Sequence, residues 1–254
     1  MSPLYMLRLE IHAEALFRFA RDQGLSYAHD EDLGYAVHAW LAASFGELAP
    51  KPFRLAHAQG PRLRLLAYSE HDSAALASRS AIILEAQGVR RAPPRPLALA
   101  HARMPESWRA GKRLSFELLA CPIARHGQAE KDVYLKRLQA LAPDEPPPAR
   151  SAVYREWLAA QFAGIAEMEG FRLAGFQLAR VLRRAQAAAE CPTRPAPAIT
   201  RPRALCEGTL RILDAERFQR LLRRGVGRHR AFGLGMLLLS PGRGTSQDSP
   251  AMRG

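Results

Sequence analysis

Residues 206–241 read CEGTLRILDAERFQRLLRRGVGRHRAFGLGMLLLSP, and within them a strand-like segment, an amphipathic helix, a glycine-punctuated loop and a leucine-rich segment follow one another. The strand reading covers Leu205–Leu213, and Met236–Ser240 reads as a terminal strand. Asp214 suits the N-cap of a helix running to Arg224. On that helix Phe218, Leu221 and Leu222 form an apolar side, while Arg217, Arg220 and Arg224 recur at i, i+3 and i+7 and line a second face. Between helix and last strand, Gly225 to Gly235 spells G-x-G-x5-G-x-G. Glycine lacks a Cβ, so Gly225, Gly227, Gly233 and Gly235 let the backbone turn sharply and approach a ligand closely. The core of the loop, Arg228, His229 and Arg230, favours an anion, with phosphate the commonest. A dinucleotide loop needs G-x-G-x-x-G opening a helix after a strand, and a triphosphate loop needs G-x-x-x-x-G-K-[ST]; neither spacing is present. A plain glycine-rich surface turn is the alternative reading.

The same segment types recur upstream. Leu4–Ile11 alternates as a strand does, with Tyr5, Leu7 and Leu9 to one side. After a polar stretch ending in HDED, Leu33, Val37, Trp40 and Leu41 share one stripe of a helix over 33–45. Phe53–His57 and Arg62–Tyr68 read as short strands divided by QGP, and 71–87 reads as a second helix. A last strand near Ile82 or Val89 has no firm place. The order predicts an α+β chain whose first half is a split βαβ, ferredoxin-like unit. The proline-rich RRAPPRP at 90–96 marks the break, giving an N-terminal domain over 1–95 and a C-terminal domain over 96–241. In the latter, Arg113–Ile123 reads as a strand, 142–150 as a proline linker, Ala152–Ala163 as a helix carrying Trp157 and Leu158, and 192–202 as irregular. Phe171–Leu182 is open between a strand bulged at Gly175 and a helix weakened there. The tail, 242–254, rich in Gly, Ser and Pro, reads as disordered.

The 254 residues carry 37 Lys and Arg against 24 Asp and Glu, a formal charge of +13, which points to a polyanionic partner: RNA, DNA or an anionic membrane. Lysine stands only at 51, 112, 131 and 136, so arginine dominates, as a GC-rich genome would also impose; the basic excess survives that bias. Membrane is the weakest partner. No apolar run approaches the roughly 20 residues of a spanning helix, and Arg8, Glu10 and His12 interrupt any secretory core. Cys121, Cys191 and Cys206 form no C-x2-C pair and support neither a disulfide framework nor a zinc site, which fits a reducing cytoplasm.

The 206–241 stretch resembles the C-terminal signature of the CRISPR-associated repeat-RNA endoribonucleases of the CasE (Cse) type, in the RAMP superfamily. Weaker similarity reaches FELLACPIAR at 116–125, REWLAAQFAG at 155–164 and the first helix. The resemblance implies two tandem ferredoxin-like, βαββαβ halves with a C-terminal glycine-rich loop. It further implies metal-independent, cofactor-free cleavage of a CRISPR precursor RNA at the base of a repeat hairpin. The 2′-OH attacks the adjacent phosphate and leaves a 2′,3′-cyclic phosphate or 3′-phosphate and a 5′-OH. CRISPR repeat RNA, the mature crRNA and other effector-complex subunits are the implied partners. That chemistry requires a base of near-neutral pKa, a proton donor for the leaving oxygen and cations for the developing charge.

The family's catalytic pair, a Tyr and a His three residues later on the first helix, is matched by Tyr35 and His38. A helix places these side chains one above the other, and histidine exchanges a proton near neutral pH. A packed or solvated helix histidine is the competing reading for His38. His229 is open between a phosphate contact, a second acid and a solvent-facing loop residue. His29 reads as solvated, and His12, His57, His71, His101 and His126 as structural or exposed. An arginine-assisted site using Arg228 or Arg230 stays open. The expected RNA-binding set is Arg217, Arg220, Arg223, Arg224, the four loop glycines, Arg228, His229 and Arg230, with Arg180, Arg183 and Arg184 of LARVLRRAQ as a basic extension. Two further functions fit the charge: a non-catalytic RNA-binding subunit of a ribonucleoprotein, and a basic ribosome-associated or DNA-binding structural protein.

Overall fold

The computed structural model describes residues 2–24, 33–56, 60–87, 93–126, 129–182 and 198–241. The expected tail at 242–254, His29, His57, Cys191, Arg183 and Arg184 lie outside them.

Strand β1 (Tyr5–His12) buries Leu7, Leu9 and Ile11 on one face, as its alternation predicts. It runs directly into α1 (Ala13–Asp22), which sequence reading passed over as polar. Leu16, Phe19 and Ala20 are nonetheless buried at helical spacing. Full burial of a large apolar side chain is worth about 1.5–3 kcal/mol, enough for Leu16 and Phe19 to offset the polar remainder. Helix α2 (Leu33–Phe45) buries Val37, Trp40, Leu41 and Phe45, and the Trp40 indole donates to the Pro94 carbonyl at 2.8 Å. Strands β2 (Phe53–Ala56) and β3 (Arg62–Ser69), helix α3 (Ser73–Gln87) and β4 (Ala98–Arg103) complete the first half.

The antiparallel order β2-β3-β1-β4 is that of a ferredoxin-like βαββαβ unit. The last strand lies at 98–103, beyond the proline-rich run 90–96 that sequence reading took as the break between halves. Its outer position explains the misplacement: among the described residues β4 pairs with β1 alone, and its residues ALAHAR lack the alternation of a half-buried strand.

The second half comprises β5 (Arg113–Ala120), the hairpin β6 (Ile123–His126) and β7 (Ala129–Asp132), α4 (Val133–Gln139) and α5 (Arg150–Phe162). It continues through β8 (Ala166–Leu182), β9 (Ala198–Ile212), α6 (Ala215–Arg224) and β10 (Leu237–Pro241). Its sheet, β10-β5-β9-β8, repeats the strand order of the first half position for position. The strand expected to reach Ile123 ends at Ala120, and Ile123 opens the separate β6–β7 hairpin. Phe171–Leu182 is strand, with a register shift between Leu173 and Gly175. Residues 198–202, read as irregular for their prolines, belong to β9. There β9 has run past the end of β5, whose last partner is Ala204, so Pro202 is paired with β8 alone, on the kind of strand edge where proline is tolerated.

The halves meet through buried groups and partly exposed ion pairs. The Tyr68 hydroxyl at the end of β3 donates to the Leu237 carbonyl of β10 at 2.9 Å, and Tyr68 and Leu4 join the core of the second half. Arg54 of β2 pairs with Glu117 of β5, and Arg223 of α6 pairs with Glu70.

Candidate functional site

Helix α6 is capped by the Asp214 carboxylate, which accepts from the Arg217 amide at 2.8 Å, and it ends at Gly225, whose φ is 76°. The loop then closes on itself: the Val226 amide donates to the Gly235 carbonyl at 2.8 Å, and the Gly235 amide to the Leu119 carbonyl of β5 at 2.7 Å. A Cβ on Gly235 would stand 2.3 Å from the Val226 carbonyl oxygen. Gly233 lies against the Phe53 ring of β2, and Gly227 against Trp157 of α5, so the glycine spacing permits close packing at the junction of the halves.

Between the two glycine pairs the chain makes a 3₁₀ turn over Arg230–Phe232, entered through His229 in the left-handed region at φ 58°. Phe232 stacks on Tyr35 of α2, with ring centroids 5.7 Å apart and planes 25° from parallel. His229 packs on the other contact of Phe232, also at 5.7 Å, and Tyr35 lies 6.4 Å from His38. The fold thus brings the predicted pair and the predicted loop, almost 200 residues apart, into one cluster.

His38 is half-buried. Burial first, and the Lys51 charge second, lower its pKa below the ordinary 6.5, which keeps the imidazole neutral at pH 7 and able to accept a proton. Lys51, exposed just before β2, was not singled out from sequence; its signal was being one of four lysines in an arginine-rich chain. It also lines a cleft of about 230 Å³ with Glu70, His71 and Arg223.

The arginines divide by environment. Arg217 and Arg220 are exposed on α6 and, among the described residues, pair with acidic residues of the same helix region, Asp214 at 3.5 Å and Glu216 at 3.0 Å. Such exposed pairs are worth about 0–1 kcal/mol, so both guanidiniums can turn to a phosphate at little cost. Arg224 is exposed too. Arg223 points inward, to Glu70 and the Ser2 carbonyl. Arg230 is half-buried and donates to the Arg224 carbonyl; burial, and then the Arg224 charge, lower its pKa. Arg228 and His229 both reach Glu130 of β7. Arg180 lies in β8.

Among the described residues no cluster of His, Cys, Asp or Glu is arranged to hold a metal, and no helix is long and apolar enough to cross a membrane. Cys121 and Cys206 are buried thiols pushed up to about 12 by desolvation.

Two antiparallel ferredoxin-like halves joined by a packed glycine-rich loop define a tandem ferredoxin-like class, and solved structures share it. CRISPR endoribonuclease Cse3 bound to a 19-nucleotide RNA superposes with a TM-score of 0.60 at 19% identity, covering 94% of this chain and all of the other. Cse3 of Thermus thermophilus bound to an RNA representing a pre-cleavage complex gives 0.53 at 21% identity, with 94% and 100% covered. Cas6e of Escherichia coli str. K-12 gives 0.56 at 18%, with 93% and 99% covered. The chain belongs to the CRISPR-associated protein family, whose model matches residues 4–241. No curated protein sequence matches it.

Proposed function

We propose that the protein is a metal-independent endoribonuclease that cuts CRISPR precursor RNA within the repeat. The observation that carries this reading is the Phe232–Tyr35 stack, which sets a basic loop beside a half-buried, neutral histidine. The names of its structural relatives, RNA-bound CRISPR endoribonucleases, support the same substrate class.

His38 takes the proton from the 2′-OH as the 2′-oxygen bonds to phosphorus. The bond from phosphorus to the 5′-oxygen breaks, giving a 2′,3′-cyclic phosphate, and the Tyr35 hydroxyl protonates the leaving oxygen. The His38 imidazolium then returns its proton to Tyr35. Lys51 and Arg228 offset the charge that develops on the phosphate oxygens. The exposed face of Arg217, Arg220 and Arg224 follows the phosphates of the repeat stem, while the loop glycines let the backbone pack tightly enough to present Arg228, His229 and Arg230. Acting on precursor RNA, the enzyme works in the cytoplasm, and it stays with the mature crRNA alongside other CRISPR subunits.

The test is purified protein with end-labelled repeat RNA in EDTA, beside RNA carrying a 2′-deoxy nucleotide at the cut site. A single cut that persists in EDTA and disappears with the deoxy substitution is expected. Binding without any cut would leave only a non-catalytic RNA-binding subunit. In the same assay Arg220→Ala should weaken binding and lower the slope of log K against log salt by about 0.7–0.9, the contribution of one phosphate contact. An unaltered slope would remove Arg220 from the phosphate path.

A further inference from the structure

Glu130 stands in the β6–β7 hairpin, apart from the Tyr35–His38 pair and the glycine loop, yet three basic side chains converge on its carboxylate. Arg228 Nε lies 2.9 Å from Oε1, while Arg201 Nη2 at 3.1 Å and His229 Nε2 at 2.8 Å share Oε2. Glu130, Arg201 and His229 are each less than one-fifth exposed; Arg228 is 47% exposed. Desolvation alone would raise the Glu130 carboxyl. The His229 hydrogen bond and charge, with Arg201 and Arg228, outweigh it and hold the group below the usual carboxylate range. Glu130 is therefore ionised at neutral pH, one negative charge facing two guanidiniums, so the cluster keeps an excess of positive charge.

The geometry has a direction. Arg228 uses Nε toward Glu130, and its half-exposed guanidinium retains donors on the terminal nitrogens for a phosphate. His229, held on the other carboxylate oxygen, adopts a left-handed backbone that costs a non-glycine residue roughly 1–2 kcal/mol. Its contacts with Glu130 and Phe232 offset that cost, and Phe232 stacks on Tyr35.

We propose that Glu130 is a positioning residue for RNA cleavage: it aims Arg228 at a phosphate of the bound RNA and, through His229 and Phe232, holds the loop turn against Tyr35. The proposal rests on the endoribonuclease reading of this site.

Single-turnover cleavage at saturating protein, RNA affinity and thermal unfolding are measured for Glu130→Gln in the wild-type and in the Arg228→Ala/His229→Ala background. Histidine ¹⁵N spectra of the RNA-free wild-type and Glu130→Gln proteins are recorded alongside. Glu130→Gln should slow cleavage about tenfold, inside the roughly 10²-fold that a 1 Å misplacement costs. It should change RNA affinity less than rate, shift the His229 imidazole signals and add no further slowing in the double-variant background. Wild-type rates, equal slowing in both backgrounds, or slowing that merely follows a loss of thermal stability would each overturn the proposal. Should the wild-type protein neither bind nor cut repeat RNA, the endoribonuclease reading fails by itself. Unmoved His229 signals would overturn the positioning contact independently of RNA.

Discussion

His38→Ala should slow single-turnover cleavage by at least about 10²-fold, the range expected when a general base is lost, while repeat-RNA affinity stays within a few-fold of wild type. The split follows from position. His38 sits half-buried on α2, whereas the exposed cations proposed to hold phosphate lie on α6 and the loop. The pH dependence carries the same signature. Burial and Lys51 disfavour the imidazolium, so the neutral base predominates at pH 7 and is lost only as pH falls through a value below 6.5. The rate should be level through neutrality and drop on the acid side. Lys51→Ala removes one of the two depressing causes and should move that drop toward higher pH. A rate for His38→Ala within twofold of wild type would return the histidine to a packing role and shift attention to Arg228 and Arg230.

Gly235→Ala should destabilise the protein by about 3 kcal/mol or more. Gly235 has φ of 80°, and an added Cβ would meet the Val226 carbonyl oxygen at 2.3 Å, a contact with backbone that no rotamer relieves. The backbone must move, at the expense of the hydrogen bonds from Val226 to Gly235 and from Gly235 to Leu119, each costing about 1–3 kcal/mol when a buried group is left unpaired. At a few degrees per kcal/mol the unfolding midpoint should fall by roughly 6–12 °C. Gly111→Ala is the control: its φ is 82°, but nothing lies within 4 Å of the added Cβ, so only backbone strain of about 1–2 kcal/mol remains. Equal midpoints for the two variants would show that the loop closure adds nothing to stability. Displacement of Phe232 from Tyr35 should also reduce cleavage by the folded fraction of Gly235→Ala.

Much of this architecture was legible in the chain. Alternation exposed β1, short apolar runs exposed β3 and the Leu205–Ile212 part of β9, the one-sided stripe exposed α2, and Asp214 with the arginine face exposed α6, because each buries one face against a core and so leaves a pattern in the sequence. Elements whose period is weak or masked by charged neighbours were missed. Outer strand β4 is paired on one side only, α1 hides three buried residues among charges, and the short β6–β7 hairpin has no long apolar run. Tyr35 and His38 were reached through a family pattern, and Arg217 and Arg220 through helical spacing.

From the sequence came the two-half α+β plan, the basic character and the glycine spacing of the loop, which are local or periodic properties, while the candidate pair on α2 came from the family resemblance. Only the tertiary structure decided that Gly225 and Gly233 pack against Pro52 and Phe53 of the first half while Gly227 and Gly235 pack within the second, that Arg223 turns inward to Glu70 while Arg220 faces solvent, and that Glu130 gathers Arg201, Arg228 and His229. It also decided that Phe232 lies on Tyr35. These contacts join residues far apart in the chain, and their partners are set by how two sheets dock, for which no spacing along one strand or helix carries a signal.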